Sequence, residues 1–259
     1  MTLDNLYKIF SNHKEGQWVM QWHNAILLYR FIKNHPVKRI LDLGTGIGVS
    51  TAICALALQD KGETDYHIDT VEQFDKCVNL AKELIPKELQ EHITIHKSNT
   101  KVWSYDKIPY QFFSNYETLP EGEWGLIIND GPSFWRDGDK LIDLPNGTVT
   151  EMLLQDKIKP GTFVAWDGRQ SMLSILERFF GSEERTESAF ELYRPNQQGD
   201  DLNILRRLDN PVVCRDYKLK IMKEQSTFFN EEKTTFSPTD GTPPQGADET
   251  PVSGTEQTI

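Results

Sequence analysis

The chain has 259 residues, 39 acidic against 28 basic side chains, a formal net charge of −11, 37% hydrophobic residues and 10% aromatics. That length suits one large domain with appendages and excludes a peptide-sized scaffold. The acidic balance disfavours broad electrostatic binding to nucleic acid or anionic membranes. Cys54, Cys77 and Cys214 are too few and too scattered for a disulfide framework or a thiolate zinc site, which points to a reducing, cytoplasmic setting. The mixed-charge start MTLDNLYKIFSNHKEGQ reads as neither a signal peptide nor an anchor. No run of about 18 apolar residues is present to span a bilayer.

In chain order, residues 1–35 read as an N-terminal helical cover, with Trp18, Trp22, Ile26 and Tyr29 recurring at helical spacing. From Pro36 to Asp209 short β-type runs alternate with helical ones, the pattern of a parallel sheet covered by helices. The expected strands are Arg39 to Leu43, Tyr66 to Val71, Ile93 to Lys97, Gly125 to Asn129, Thr162 to Trp166, Phe190 to Tyr193 and Leu202 to Leu208. The expected helices are Ser50 to Gln59, Phe74 to Leu84, Thr148 to Lys157 and Ser171 to Phe180. The third is punctuated by Asn146-Gly147 before it and Pro160-Gly161 after it. The expected architecture is α/β, with a doubly wound, mostly parallel, seven-stranded Rossmann-like sheet over residues 36–225. Residues 226–259 form an acidic Pro/Thr-rich tail expected to be disordered, because it has little apolar surface to offset its ordering entropy. From Asn230 on there are six acids and one lysine, so five of the eleven net negative charges sit there and the folded part is only mildly acidic.

The first strand runs into three alternate glycines, Asp42-Leu43-Gly44-Thr45-Gly46-Ile47-Gly48, and then a helix. Such a turn lets a ligand lie against bare main chain. A P-loop is excluded because no Gly-Lys-Ser/Thr follows, and the dinucleotide fingerprint fails because position 49 is Val49. The segment resembles the first motif of the class I S-adenosylmethionine-dependent methyltransferases. The resemblance covers residues 36–208. It implies S-adenosylmethionine as cofactor, with Asp42, Gly44, Thr45, Gly46 and Gly48 forming its cradle. The acid that accepts the ribose hydroxyls falls at Glu72 in preference to Asp69, since a carboxylate offers two acceptor oxygens to two vicinal donors. Asn99 stands where the family usually has an acid near the adenine.

Asp130 and Asp167 end the fourth and fifth expected strands, at the carboxyl edge where this fold places reacting groups. Asp130 is the first choice for a catalytic or metal-binding role and is counted with the cofactor-binding residues as well. Together the two carboxylates suit one hard divalent cation such as Mg²⁺. That arrangement looks like the catechol-type O-methyltransferases, and Lys14-Glu15-Gly16-Gln17 echoes their N-terminal Lys-Gly segment. The departures are Gly168 in place of a ligating Asn and Ser133-Phe134-Trp135-Arg136 in place of a general-base lysine. Asp130-Gly131-Pro132-Ser133-Phe134 also differs in spacing from the Asp/Asn-Pro-Pro-Tyr/Phe motif of amino-methylating enzymes. Pro132 to Thr148 is too long for a minimal crossover and is expected to form a substrate lid, with Phe134 and Trp135 available for stacking and Arg136 or Lys140 for an anion. The six histidines show no ligand spacing. The resemblance implies methyl transfer to an oxygen of a small molecule. A nucleic-acid or protein methyltransferase on the same fold, and a non-catalytic cofactor-binding protein, are the alternatives.

Overall fold

The structure is a computed structural model and describes residues 1–16, 19–105, 108–132, 134–167, 189–193 and 202–212. Trp18, Gly168, the expected helix at 171–180, Cys214 and the tail at 226–259 lie outside these residues, as does the side chain of Asp167.

Two helices come first, α1 (Leu3–Ser11) and α2 (Trp22–Asn34). The alternation of strands and helices then begins with β1 (Arg39–Leu43), α3 (Val49–Lys61), β2 (His67–Glu72), α4 (Asp75–Leu84), α5 (Lys87–Gln90) and β3 (Ile93–Lys97). A hairpin of β4 (Thr100–Tyr105) and β5 (Ile108–Tyr116) precedes β6 (Leu126–Asn129), and a second, β7 (Phe134–Asp137) and β8 (Lys140–Asp143), follows it. The described elements end with α6 (Thr148–Leu154), β9 (Phe163–Asp167), β10 (Phe190–Tyr193) and β11 (Leu202–Arg207).

Seven strands form one sheet in the order β10-β11-β9-β6-β1-β2-β3. All neighbours are parallel except β11, which runs against both β9 and β10. The chain leaves β1 outward through β2 and β3, then returns to β6 on the other side of β1. The carboxyl ends of β1 and β6 therefore flank the topological switch point, the crevice in which open α/β sheets bind ligands.

Each face of the sheet carries its own core. On one, Ile40, Ile68, Leu126, Ile128 and Ala165 meet α3, whose residues from Val49 to Leu58 are all buried, together with Leu6, Phe10, Leu28 and Ile32 of α1 and α2. The N-terminal cover thus shares the main core. A helix apolar on every side has to be enclosed, and α1 and α2 are what enclose α3. The buried face of α2 is Asn24, Ala25, Leu27, Leu28, Phe31 and Ile32, while Trp22 stays exposed and Ile26 and Tyr29 half-buried. The expected stripe of 22, 26 and 29 is therefore displaced around the helix, because aromatic size marked the wrong side. On the other face Leu41, Leu43, Val71, Ile127, Val164 and Trp166 pack against Val149, Met152 and Leu153 of α6.

The two hairpins depart from a plain helix-covered sheet. Residues 100–116 are rich in β-branched and aromatic side chains, which favour strands over a crossover helix. Trp103 packs its ring against Phe113 with centroids 5.5 Å apart. Glu151 of α6 holds this hairpin, accepting from Asn115 Nδ2 at 2.6 Å and Lys101 Nζ at 2.7 Å. Ser114 Oγ donates to the Phe134 carbonyl at 2.8 Å, joining the first hairpin to the second.

Candidate functional site

The switch point is lined by Gly44 to Gly48 after β1, Glu72 at the tip of β2, Ser98-Asn99 after β3 and Asp130-Gly131 after β6. Gly44 and Gly46 have φ of 100° and 52°, in the left-handed region that favours glycine. A Cβ on Gly44 would stand 2.7 Å from the Gly131 nitrogen, so the β1 and β6 turns touch main chain to main chain there. A Cβ on Gly46 would meet nothing within 4 Å. The cradle is thus tight against the protein at its first glycine and open at its second.

Glu72 is buried, 4% exposed, and its carboxylate closes this turn. Oε2 accepts from the Gly46 amide at 2.9 Å, and Oε1 accepts from the amides of Gln73 and Phe74 at 2.8 and 2.9 Å. Burial raises its pKa, opposed by these three hydrogen bonds. A carboxylate has about four acceptor positions, so one is left for a ligand hydroxyl. Asp69, weighed earlier for the same role, is committed elsewhere. It contacts His96 Nε2 at 2.9 Å, His67 Nε2 at 3.3 Å and Arg39 Nη2 at 3.5 Å. Spacing along the chain did not bring those two histidines together; the β2–β3 register does.

Asp42 is fully buried beneath the cradle. Its Oδ2 accepts from Ser50 Oγ at 2.7 Å and Thr51 Oγ1 at 2.6 Å, in the first turn of α3, and its Oδ1 has no partner. Burial pushes its carboxyl up to about 7, eased by the two hydroxyls and aggravated by the charges of Asp130 and Glu72. Thr45 turns inward too: its hydroxyl lies 2.6 Å from that of Thr70, which donates to the Asp42 carbonyl at 3.1 Å. Asp42 and Thr45 therefore brace the turn from below, leaving Gly46, Glu72 and the exposed Asn99 on its open side.

Asp130 is half-buried at the tip of β6, where its amide donates to the Leu43 carbonyl at 2.8 Å. The β9 backbone carries Asp167 on the neighbouring tip, paired with Leu202. Among the described residues no group of three His, Cys, Asp or Glu is placed to hold a metal ion, so the expected Mg²⁺ centre has no support there. Cys54 is buried and Cys77 half-buried, with burial raising the first thiol well above its usual range and the second to about 11. No described helix is long and apolar enough to cross a membrane.

Sequence reasoning missed Tyr116 and Asn146, both buried beside Gly131. The Tyr116 hydroxyl donates to the Val71 carbonyl at 3.1 Å, and Asn146 Nδ2 donates to the Gly131 carbonyl. Asn146-Gly147 was legible only as helix punctuation, and nothing in the linear pattern brings Tyr116 to the site.

Residues 8–114 match the family model of protein-L-isoaspartate (D-aspartate) O-methyltransferase. The match spans the glycine turn, Glu72 and Asn99 and stops before Asp130. No curated relative matches the chain by sequence. Among solved structures, the S-adenosylhomocysteine-bound methyltransferase PaMTH1 of Podospora anserina is similar with a TM-score of 0.52 at 16% identity, over 80% of this chain and 88% of that one. A candidate O-methyltransferase of Klebsiella pneumoniae is similar with a TM-score of 0.50 at 17% identity, over 81% of this chain and 90% of that one. The chain thus has the fold of these two solved methyltransferases, and its first 114 residues include a stretch that matches a methyltransferase family model.

Proposed function

We propose that the chain binds S-adenosylmethionine in the crevice between β1 and β6 and transfers its methyl group to an oxygen of a small molecule. The observation that carries this is a glycine turn, open at Gly46, at the switch point and among three carboxylates, Asp42, Glu72 and Asp130. Such a concentration of negative charge suits a cationic ligand. The residues fit the cofactor: Glu72 retains an acceptor position for a ribose hydroxyl, Asn99 is exposed to pair with a purine edge, and Gly46 leaves its main chain uncovered.

Bound there, the cofactor supplies an electrophilic methyl on a sulfonium. The chain's contribution is alignment and proton handling. Asp130 is the residue we assign to take the proton of the acceptor hydroxyl, since of the three carboxylates it alone is half-buried rather than buried and stands at the carboxyl edge of β6. The β7–β8 hairpin springs from the same tip and exposes Phe134 and Leu141, which suit an acceptor with an apolar or planar body. An oxygen acceptor is further supported by the solved structure described as an O-methyltransferase. The isoaspartate family model favours a second reading, a carboxylate on a protein as acceptor, although its match ends before the acceptor edge.

Calorimetry is expected to show stoichiometric binding of S-adenosylhomocysteine, and labelled S-adenosylmethionine is expected to transfer methyl groups into a small-molecule extract. Label appearing only in the protein fraction would favour the second reading, and absence of binding would end both. A Mg²⁺ role for Asp130 and Asp167 is a separate proposal. The cradle itself needs no cation, so EDTA is expected to leave the affinity for S-adenosylhomocysteine unchanged; a loss reversed by Mg²⁺ would contradict this.

A further inference from the structure

Two loops must be held at a set separation for methyl transfer: the cradle after β1 and the Asp130-Gly131 turn after β6. Where they touch, each has a glycine. A Cβ on Gly131 would stand 2.8 Å from the Gly44 Cα and 2.8 Å from the Tyr116 hydroxyl. A side chain at Gly131 would therefore collide with both the cradle and Tyr116, the last residue of β5.

The same tyrosine reaches the cradle by a hydrogen bond. Its hydroxyl and the amides of Gly44 and Thr45 all donate to one acceptor, the Val71 carbonyl, at 3.1, 3.0 and 3.2 Å. The carbonyl of Gly131 is held by Asn146, 1% exposed. Asn146 Nδ2 donates to the Gly131 carbonyl and, at 2.6 Å, to Asn129 Oδ1, while Asn146 Oδ1 accepts from the Thr148 amide at 2.9 Å. This last bond fixes which end of the amide faces Gly131, because only the nitrogen can donate there. The side chain spans the tip of β6 and the start of α6.

We infer that Tyr116 and Asn146 are positioning residues that clamp Gly131, one at its Cα and the other at its carbonyl, and so set the distance between the cofactor cradle and Asp130. The inference rests on the cofactor reading for its affinity test but not for its structural one. Neither residue touches the reacting atoms. Both belong to the segment between β3 and α6 that the hairpins occupy, which makes the hairpin pair a brace for the site as well as its rim.

The test compares Tyr116→Phe and Asn146→Ser with Thr162→Val in the full chain. Thr162 Oγ1 donates to the Trp124 carbonyl at 2.9 Å, a buried hydroxyl-to-carbonyl bond like that of Tyr116 but at the amino end of β9. Tyr116→Phe and Thr162→Val each lose one buried hydrogen bond, so their melting temperatures should fall alike, whereas Asn146→Ser gives up as many as three and should fall further. The two clamp variants are expected to bind S-adenosylhomocysteine about fivefold more weakly or worse, and Thr162→Val to bind within twofold of the parent. Equal affinity in all three, or equal weakening in all three, would overturn the inference. Should Asn146→Ser fail to fold, Tyr116→Phe decides the matter alone. Should the parent itself not bind the nucleoside, the cofactor reading fails and hydrogen exchange tests the clamp. The amides of Gly44 and Thr45 are expected to exchange several-fold faster in Tyr116→Phe and unchanged in Thr162→Val, and unchanged rates in both would refute it.

Discussion

Glu72→Gln is expected to weaken binding of S-adenosylhomocysteine roughly 10- to 100-fold while leaving a folded protein. The magnitude follows from losing a hydrogen bond to a charged group, on the order of 1.5–3 kcal/mol. The glutamine oxygen can still accept from Gln73 and Phe74, as Oε1 does now at 2.8 and 2.9 Å. Its NH₂ would then face the Gly46 amide in place of Oε2, donor against donor, and would push the open glycine out of position. Glu72→Ala removes both carboxylate oxygens, and with them the partners of three amides, from a side chain that is 4% exposed. Water entering the space left behind can serve some of these amides, so a stability loss of about 3–5 kcal/mol is expected rather than three full penalties. Calorimetry separates affinity from folding, and urea denaturation measures the rest. Glutamine binding as tightly as glutamate would remove Glu72 from the cofactor site.

The sheet was legible because its strands are short apolar runs with strong turn signals between them, and β1, β3 and β10 fall where periodicity places them. The glycine turn was legible because tight main-chain geometry leaves a composition signature. Less visible were the consequences of burial. Asp42 and Thr45 sit in the motif yet point beneath it, since Ser50, Thr51 and Thr70 lie there to receive them. Nor did the sequence disclose Tyr116, whose place depends on residues 100–116 forming a hairpin rather than a crossover helix. Pro132 to Thr148 read as a lid on length alone. The structure places the β7–β8 hairpin within it, with Phe134 and Arg136 on one side of β7 and Trp135 on the other, so the two aromatics once considered together do not share a face. Asp167 remains a backbone position on the neighbouring strand tip.

Asp42→Asn is expected to change how stability depends on pH more than any other single replacement at the site. Burial raises the Asp42 carboxyl from 3.8 to about 7. In the unfolded chain it ionises near 3.8, so between those values the folded state holds the proton that the unfolded state has lost. Stability must then fall as pH rises through that window, with the full penalty present above about pH 7 and absent below about pH 4. Three pH units correspond to about 4 kcal/mol at most. The asparagine variant carries no such charge. Its Oδ1 can still accept from Ser50 and Thr51, and its Nδ2 takes the place of the unpartnered Oδ1. The absolute stability of the variant therefore depends on how well that new donor is tolerated, whereas the pH slope does not. Denaturation at pH 5 and pH 8 should show the variant gaining on the parent by up to about 3 kcal/mol across the interval. Parallel curves would mean that Asp42 ionises normally. A cationic cofactor adds a second signature, because it favours the ionised carboxylate. The affinity of the parent for S-adenosylmethionine should rise from pH 6 to pH 8 and that of Asp42→Asn should not, while the uncharged sulfur of S-adenosylhomocysteine should reduce the difference.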